Sequence, residues 1–272
     1  MKDKNILVTG GMGFIGSSLV TLLRALGNDL IVVDDMLKGI TLDSVLSDES
    51  FDIIYHLGMP SSVSMMYYPG LFCRVIEDFH NILAYADIYL PKLVIASTSS
   101  LYINSNLPNK ETDTVYPFDY YTLSRYSIER LSADYNAICL RLFSVYGEDQ
   151  KKGKYANVIT QMRLNDNNYS FEVYGNGTQT RDFINVQDVA RAFVMVGDSD
   201  KRGVYNVGTG IETQFNSIAD MTECNITYVD NPIEHYVYRS LADTKAIQRD
   251  IGFKAEIGIE DGIKRLMVEQ GK

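Results

Sequence analysis

The feature that most limits what this chain can fold into is Gly10-Gly11-Met12-Gly13-Phe14-Ile15-Gly16, glycines in GxxGxxG spacing between two apolar stretches of different period. Before them, Asn5–Thr9 (NILVT) is short, apolar and β-branched, the pattern of a parallel strand buried on both faces. After them, Phe14–Leu26 carries apolar residues at helical spacing and stops at Gly27. A strand, a glycine turn and a helix in this order make the opening of a dinucleotide fold. Gly10 permits the tight turn, Gly13 lets backbone approach a pyrophosphate, and Gly16 lets the helix sit close to the strand with its N-terminus toward the phosphates. A second strand, Leu30–Val33, ends at Asp34-Asp35. A carboxylate there suits the hydroxyls of the adenine ribose and repels a 2′-phosphate, which predicts NAD; Lys38 nearby keeps NADP open.

The alternation continues. Phe51–Leu57, Leu93–Ala96 and Ala137–Leu142 read as further buried strands, with helices predicted over Phe72–Tyr89 and Tyr121–Asn136. Strands alternating with helices predict an α/β fold, a Rossmann-type doubly wound parallel sheet over residues 1–147. From about Gly147 the texture turns to glycine, asparagine and charge, and helices at Val186–Val196 and Glu260–Gln270 mix with short strands. Residues 148–272 therefore read as mainly a smaller, mixed substrate lobe, with the chain crossing back to the first sheet. Ligands of such sheets lie beyond the carboxyl ends of the strands, where a second lobe closes over them.

A formal net charge of −10 argues against nucleic acid and anionic membranes as partners, and an anionic ligand would need a focused cluster of arginines. Cys73, Cys139 and Cys224 lie far apart, with no Cys/His spacing for a metal site or a disulfide framework. No secretory leader pattern and no long apolar run occurs, which predicts a cytoplasmic protein.

Further segments carry a resemblance. TGGMGFIG, VVDD and YHLG (Tyr55–Gly58) are followed by Ser97–Tyr102 (STSSLY), Tyr121–Arg125 (YTLSR), Leu140–Gly147 (LRLFSVYG), Val173–Phe183 (VYGNGTQTRDF), Tyr205–Gly208 (YNVG) and Leu241–Ala246 (LADTKA). In order and spacing they resemble the extended short-chain dehydrogenase/reductase family, which includes nucleotide-sugar epimerases and dehydratases. The resemblance implies NAD as cofactor, a nucleoside-diphosphate sugar as substrate, and a homodimer built on the helices at Phe72–Tyr89 and Tyr121–Asn136.

The resemblance also implies roles. Tyr121 becomes the general base that takes the proton of a sugar 4-hydroxyl. A tyrosine ionises near pH ~10 in isolation, so the role asks for a neighbouring cation, and Arg125 stands one helical turn on. Thr98 hydrogen-bonds the substrate hydroxyl. The cofactor set is Gly10, Gly13, Phe14, Ile15, Gly16, Asp34, Asp35, Leu57, Gly58, Tyr121, Arg125 and Phe143. On the substrate side stand Ser61, Ser99, Ser144, Asn157, Val158, Tyr174, Arg181, Asn206 and Arg239, with Arg181 clamping the diphosphate through its guanidinium fork. His56, His80 and His235 are read as structural, His56 packing at a strand end near the cofactor.

Four positions depart from the family pattern. Arg125 replaces its lysine; Val75 stands for an asparagine; Ser144 stands for the asparagine of LRxFN; and Asp34 to Phe51 is too short for the usual third strand and its adenine-contacting acid. Asp43 falls in what reads as the following helix and makes a poor substitute, so a more exposed adenine end and weaker NAD binding are expected. Ser99 and Ser100 occupy the positions where 4,6-dehydratases carry an Asp-Glu pair, and neither can serve as acid or base for loss of water. The expected reaction is 4-epimerisation of the UDP-glucose/UDP-galactose type through a transient 4-keto sugar. A non-catalytic NAD or nucleotide-sugar binder and a 4-ketosugar reductase remain open alternatives.

Overall fold

The computed structural model describes residues 1–35, 41–60, 67–103, 105–151, 156–164, 170–233 and 236–268. Ser61, Lys38 and His235 lie outside them. The strands in chain order are β1 (Asn5–Thr9), β2 (Asp29–Val33), β3 (Ile53–His56), β4 (Lys92–Thr98), β5 (Ala137–Leu142), β6 (Ser144–Tyr146), β7 (Phe171–Tyr174), β8 (Thr180–Asn185), β9 (Gly203–Val207), β10 (Glu212–Gln214) and β11 (Ile226–Val229). The helices are α1 (Phe14–Ala25), α2 (Leu42–Asp48), α3 (Pro69–Tyr89), α4 (Tyr120–Leu131), α5 (Val158–Arg163), α6 (Val186–Gly197), α7 (Phe215–Met221), α8 (Lys245–Ile251) and α9 (Ile259–Val268), with a 3-10 turn at Ser99–Tyr102.

The main sheet has six parallel strands in the order β2-β1-β3-β4-β5-β9. Side chains along each strand alternate between two cores, as a strand buried on both faces requires. Ile6, Val8, Ile53, Tyr55 and Val94 face α1 and α6; Leu7, Ile54, Leu93 and Ile95 face α3 and α4. The strand order reverses between β1 and β3, which opens a crevice at the carboxyl ends of both. Among the described residues β2 is the edge, and its side chains are half exposed, as the short Asp34–Phe51 stretch implied.

Residues beyond β5 build a second, smaller core around Tyr146, Ile159, Phe183, Ile218 and Leu266. It holds the sheet β10-β8-β6 and the pair β11-β7. The chain recrosses through α6, which packs on α1, and through β9, the sixth strand of the main sheet. Two bounds differ from the sequence reading by three residues or more. The helix expected to reach Asn136 ends at Leu131, because Ser132, Asp134 and Asn136 favour turns over a helix interior. The helix expected from Phe72 begins at Pro69, whose missing N–H is harmless in a first turn.

Candidate active site

The glycine turn is forced by backbone contact. Gly10 has φ +70°, and a Cβ on it would meet the Gly58 backbone nitrogen at 2.6 Å; a Cβ on Gly16 would meet the Gly10 carbonyl oxygen at 2.1 Å. Gly13 caps α1 with no side-chain cap hydrogen bond among the described residues, and no acidic side chain occupies the first turn. The N-terminus is left to an anion. Phe14 and Ile15 are half-buried in the same turn. Asp34 accepts the Met12 N–H at 3.0 Å, which ties its carboxylate to the turn.

A cleft of about 660 Å³ runs from this turn along the sheet edge. Gly10, Gly13, Asp34, Asp35, Leu57 and Gly58 line it, as a site for a dinucleotide requires. Thr9, Thr41, Asp43, Arg74, Val75 and Asp78 line it too, and none of these was expected to. Asp43 stands in the first turn of α2, where the sequence reading dismissed it, and still lines the cleft because α2 packs against α3. His56, on the cleft floor, holds Thr9 Oγ1 at 2.9 Å through Nδ1 and lies against the Phe79 ring, with centroids 5.6 Å apart. Thr9 Oγ1 also accepts the Gly58 N–H. Burial, reinforced by the Arg125 charge, lowers the His56 pKa to about 3, so the ring is neutral. Its Nε2 is buried without a partner among the described residues.

Of the catalytic candidates, Arg125 meets the far end of the cleft, at Met59 and Pro60. Asp119 caps α4 by accepting the Thr122 N–H at 2.7 Å, while Thr122 Oγ1 accepts the Asp119 N–H, which fixes the turn that carries Tyr121. The Arg125 guanidinium is buried, lies over the Tyr121 ring 4.9 Å from its centroid, contacts Met59 Sδ and donates to the Pro60 carbonyl at 3.2 Å. Burial lowers the Arg125 pKa and the Tyr121 contact opposes that. Thr98 ends β4, and its Oγ1 accepts the Ser100 N–H at 3.1 Å, leaving the hydroxyl proton to donate. The 3-10 turn that starts at the half-buried Ser99 packs on α4.

The remaining substrate candidates fall into three groups. Arg181, Tyr174 and Arg239 come together: the Arg181 guanidinium lies between the Phe215 and Tyr236 rings, at 5.4 and 5.5 Å, and Tyr174 meets Tyr236 edge-on at 6.3 Å. Arg181 donates to the Thr180 and Tyr238 carbonyls, and Arg239 makes a bidentate pair with Glu212 at 3.0 and 2.6 Å. Asn157 caps α5, its Oδ1 accepting the Ile159 N–H and its Nδ2 donating to the Val145 carbonyl; Val158 and Ser144 are half-buried nearby. Asn206 corrects the expectation. It is fully buried, accepts the Tyr102 hydroxyl at 2.8 Å and donates to the Asn109 and Asp243 carbonyls, so its amide braces the core and not a substrate. Phe143 is likewise turned inward, against Tyr102 and Ala242.

Asn206 belongs to a buried network that sequence reasoning missed. Arg141 bonds both Glu129 oxygens at 3.0 and 2.7 Å, Ser97 donates to Glu129 at 2.5 Å, and Arg141 reaches the Tyr102 hydroxyl at 2.8 Å. A signal existed, since an arginine inside the buried strand AICLRL demands a partner.

Comparison with known proteins decides the family. Residues 6–208 match the NAD dependent epimerase/dehydratase family model. The chain belongs to that family. It is 32% identical over 299 residues, covering 96% of this chain and 97% of the relative, to a Methanocaldococcus jannaschii protein provisionally named UDP-glucose 4-epimerase. Among solved structures, UDP-N-acetylglucosamine 4-epimerase from Methanobrevibacter ruminantium M1, in complex with UDP-N-acetylmuramic acid, superposes with TM-score 0.84 at 27% identity, covering 99% of this chain and all 100% of that one. MoeE5 in complex with UDP-glucose and NAD superposes with TM-score 0.83 at 27% identity, each chain covered to 98%. The chain is thus an enzyme of the NAD-dependent nucleotide-sugar epimerase type, and the glycine cradle, the uncapped α1 N-terminus and Asp34 fit NAD. Among the described residues no helix is long and apolar enough to cross a membrane.

Proposed function

We propose that this protein interconverts UDP-glucose and UDP-galactose by epimerisation at C4. The observation that carries the reading is the half-buried Tyr121 against the buried Arg125 guanidinium, which reaches the Met59–Pro60 end of the dinucleotide cleft. NAD, when bound, supplies a reversible oxidation of the sugar carbinol. Tyr121 takes the proton of the 4-hydroxyl, and Arg125 sets a positive charge against the phenol and fixes its ring. Thr98 donates its hydroxyl proton to the same sugar oxygen. Arg181, its ring neighbours and Tyr174 hold the nucleoside diphosphate; a guanidinium already sheltered between two rings binds phosphate oxygens with little loss of side-chain freedom. The turn after Thr98 offers Ser99 and Ser100 and no carboxylate, which favours epimerisation over dehydration.

The UDP-glucose assignment leans on the curated relative's name, and UDP-N-acetylglucosamine is the competing substrate, from the solved neighbour. Incubating the purified protein with each sugar nucleotide and resolving the C4 epimers by chromatography separates them. UDP-galactose is expected from UDP-glucose, and Tyr121→Phe is expected to lower turnover by about 10²–10⁴-fold, the range of general acid–base catalysis. Full activity in that variant refutes the mechanism, and turnover of the N-acetyl sugar alone refutes the substrate.

We also infer a homodimer formed through α3 and α4, which pack side by side and leave Ile88, Tyr89, Leu123 and Leu131 exposed. Sedimentation at micromolar concentration reads it directly; a monomer refutes it.

A further inference from the structure

The adenine end of the cleft is built differently from what the missing strand implied. Among the described residues the sheet stops at β2, yet the cleft continues past Asp34 to Thr41, Leu42 and Asp43 of the α2 turn and to Arg74 and Asp78 of α3. Arg74 reaches from α3 to Asp35 at 2.7 Å, a strap from one wall to the other. Leu42, Leu71 and Val33 supply apolar surface. Adenine is a flat ring with one exocyclic amine, so it needs apolar faces and one acceptor at its edge.

Four carboxylates line this end, and each has a partner. Asp34 accepts the Met12 N–H and is the carboxylate that the motif assigns to the ribose hydroxyls. Asp35 pairs with Arg74, and Asp78 lies 3.8 Å from the same guanidinium. Asp43 has no cation within ion-pairing distance among the described residues. Its Oδ1 is fixed by the Asn81 amide at 2.8 Å, which orients the group and leaves Oδ2 as an acceptor.

We propose that Asp43, held by Asn81, accepts the exocyclic amine of adenine, so that α2 and α3 replace the wall a longer sheet would have provided. The proposal rests on the assignment of this cleft to NAD. A hydrogen bond to a carboxylate is worth about tenfold in affinity when the competing ligand lacks the donor.

The test uses nicotinamide hypoxanthine dinucleotide, in which a carbonyl replaces that amine. Purified protein is brought to exchange equilibrium with an equimolar mixture of NAD and this analogue, desalted, and its bound dinucleotides are separated by liquid chromatography. The expected bound ratio is about ten to one for NAD, falling to about one to one in Asp43→Ala. Asn81→Leu, which keeps the carboxylate but frees it to turn, is expected to fall between. Equal retention of both by the parent protein, or an undiminished ratio in Asp43→Ala, overturns the assignment while leaving NAD in the cleft. Retention of neither overturns the NAD reading with it.

Discussion

Glu129→Gln removes one charge from the buried network and changes little else in shape. Glu129 and Arg141 side chains are 3% and 5% exposed, and the carboxylate accepts two bonds from the guanidinium and one from Ser97. A glutamine retains one oxygen and turns an NH₂ group toward a guanidinium that has no other counter-charge in contact among the described residues. Breaking a buried pair from one side costs about 3–5 kcal/mol, because the surviving charge stays out of water. Whole-protein stability is about 5–15 kcal/mol, so the single change consumes a large part of the margin. Replacing both partners by apolar residues of similar size, Glu129→Leu with Arg141→Met, removes the stranded charge and is expected to recover most of the loss. The remaining deficit would come from the Tyr102 hydroxyl, which loses the Arg141 donor but keeps Asn206. The assay is denaturant unfolding of parent, single and double variants, followed by circular dichroism and tyrosine emission, since the chain has no tryptophan. A cost below about 1 kcal/mol for Glu129→Gln, the range of exposed pairs, would refute the reasoning. So would a double variant no more stable than the worse single one, since the loss would then not come from a stranded charge.

Acid should destabilise the protein through His56. Its pKa is about 3 in the fold against 6.5 ordinarily, so below pH 6.5 the unfolded chain takes up a proton the native ring refuses, and stability falls with falling pH. About 2 kcal/mol should go between pH 7.5 and 5, and His56→Gln should flatten that part of the profile; parallel profiles for parent and variant would contradict it. Gly16→Ala would place a Cβ 2.1 Å from the Gly10 carbonyl oxygen, against backbone that cannot yield, so dinucleotide co-purifying with the protein should be lost and stability should fall by about 1–3 kcal/mol. Normal retention in that variant would show that the turn has slack.

Local signals carried far into this fold. The glycines at 10, 13 and 16 are readable because a positive φ and a backbone contact exclude other residues, and the strands are readable because their alternation must serve two cores. The Tyr121–Arg125 spacing already placed both on one face of a helix. What the chain does not show locally is which way a polar side chain turns at a strand end. Asn206 and Arg181 each stand on a β-strand, yet one amide is enclosed by Tyr102, Asn109 and Asp243 while the other side chain lies between two rings. Those surroundings come from segments distant in sequence. The engagement of Arg239 by Glu212 has the same origin, because β10 reaches that position only by pairing with β8. The place of Asp43 on the cleft lining has a related origin: helix membership says nothing about facing a cleft until the neighbouring helix is in place.

The two ends of the cofactor cleft are held by different physics, and this bears on how the dinucleotide comes and goes. At the glycine turn and at Tyr121 the positions are set by backbone contact, capping and a buried guanidinium, all costly to displace. At the adenine end the strap between Arg74 and Asp35 joins side chains 58% and 81% exposed, and exposed pairs contribute only about 0–1 kcal/mol. Opening that strap is cheap, whereas moving the Tyr121 end is not. Arg74→Ala is therefore expected to speed exchange of bound dinucleotide while leaving turnover of the sugar nucleotide near the parent value. A fall in turnover without faster exchange would mean that the strap acts on the reacting end, and that the two ends are coupled more stiffly than their contacts imply.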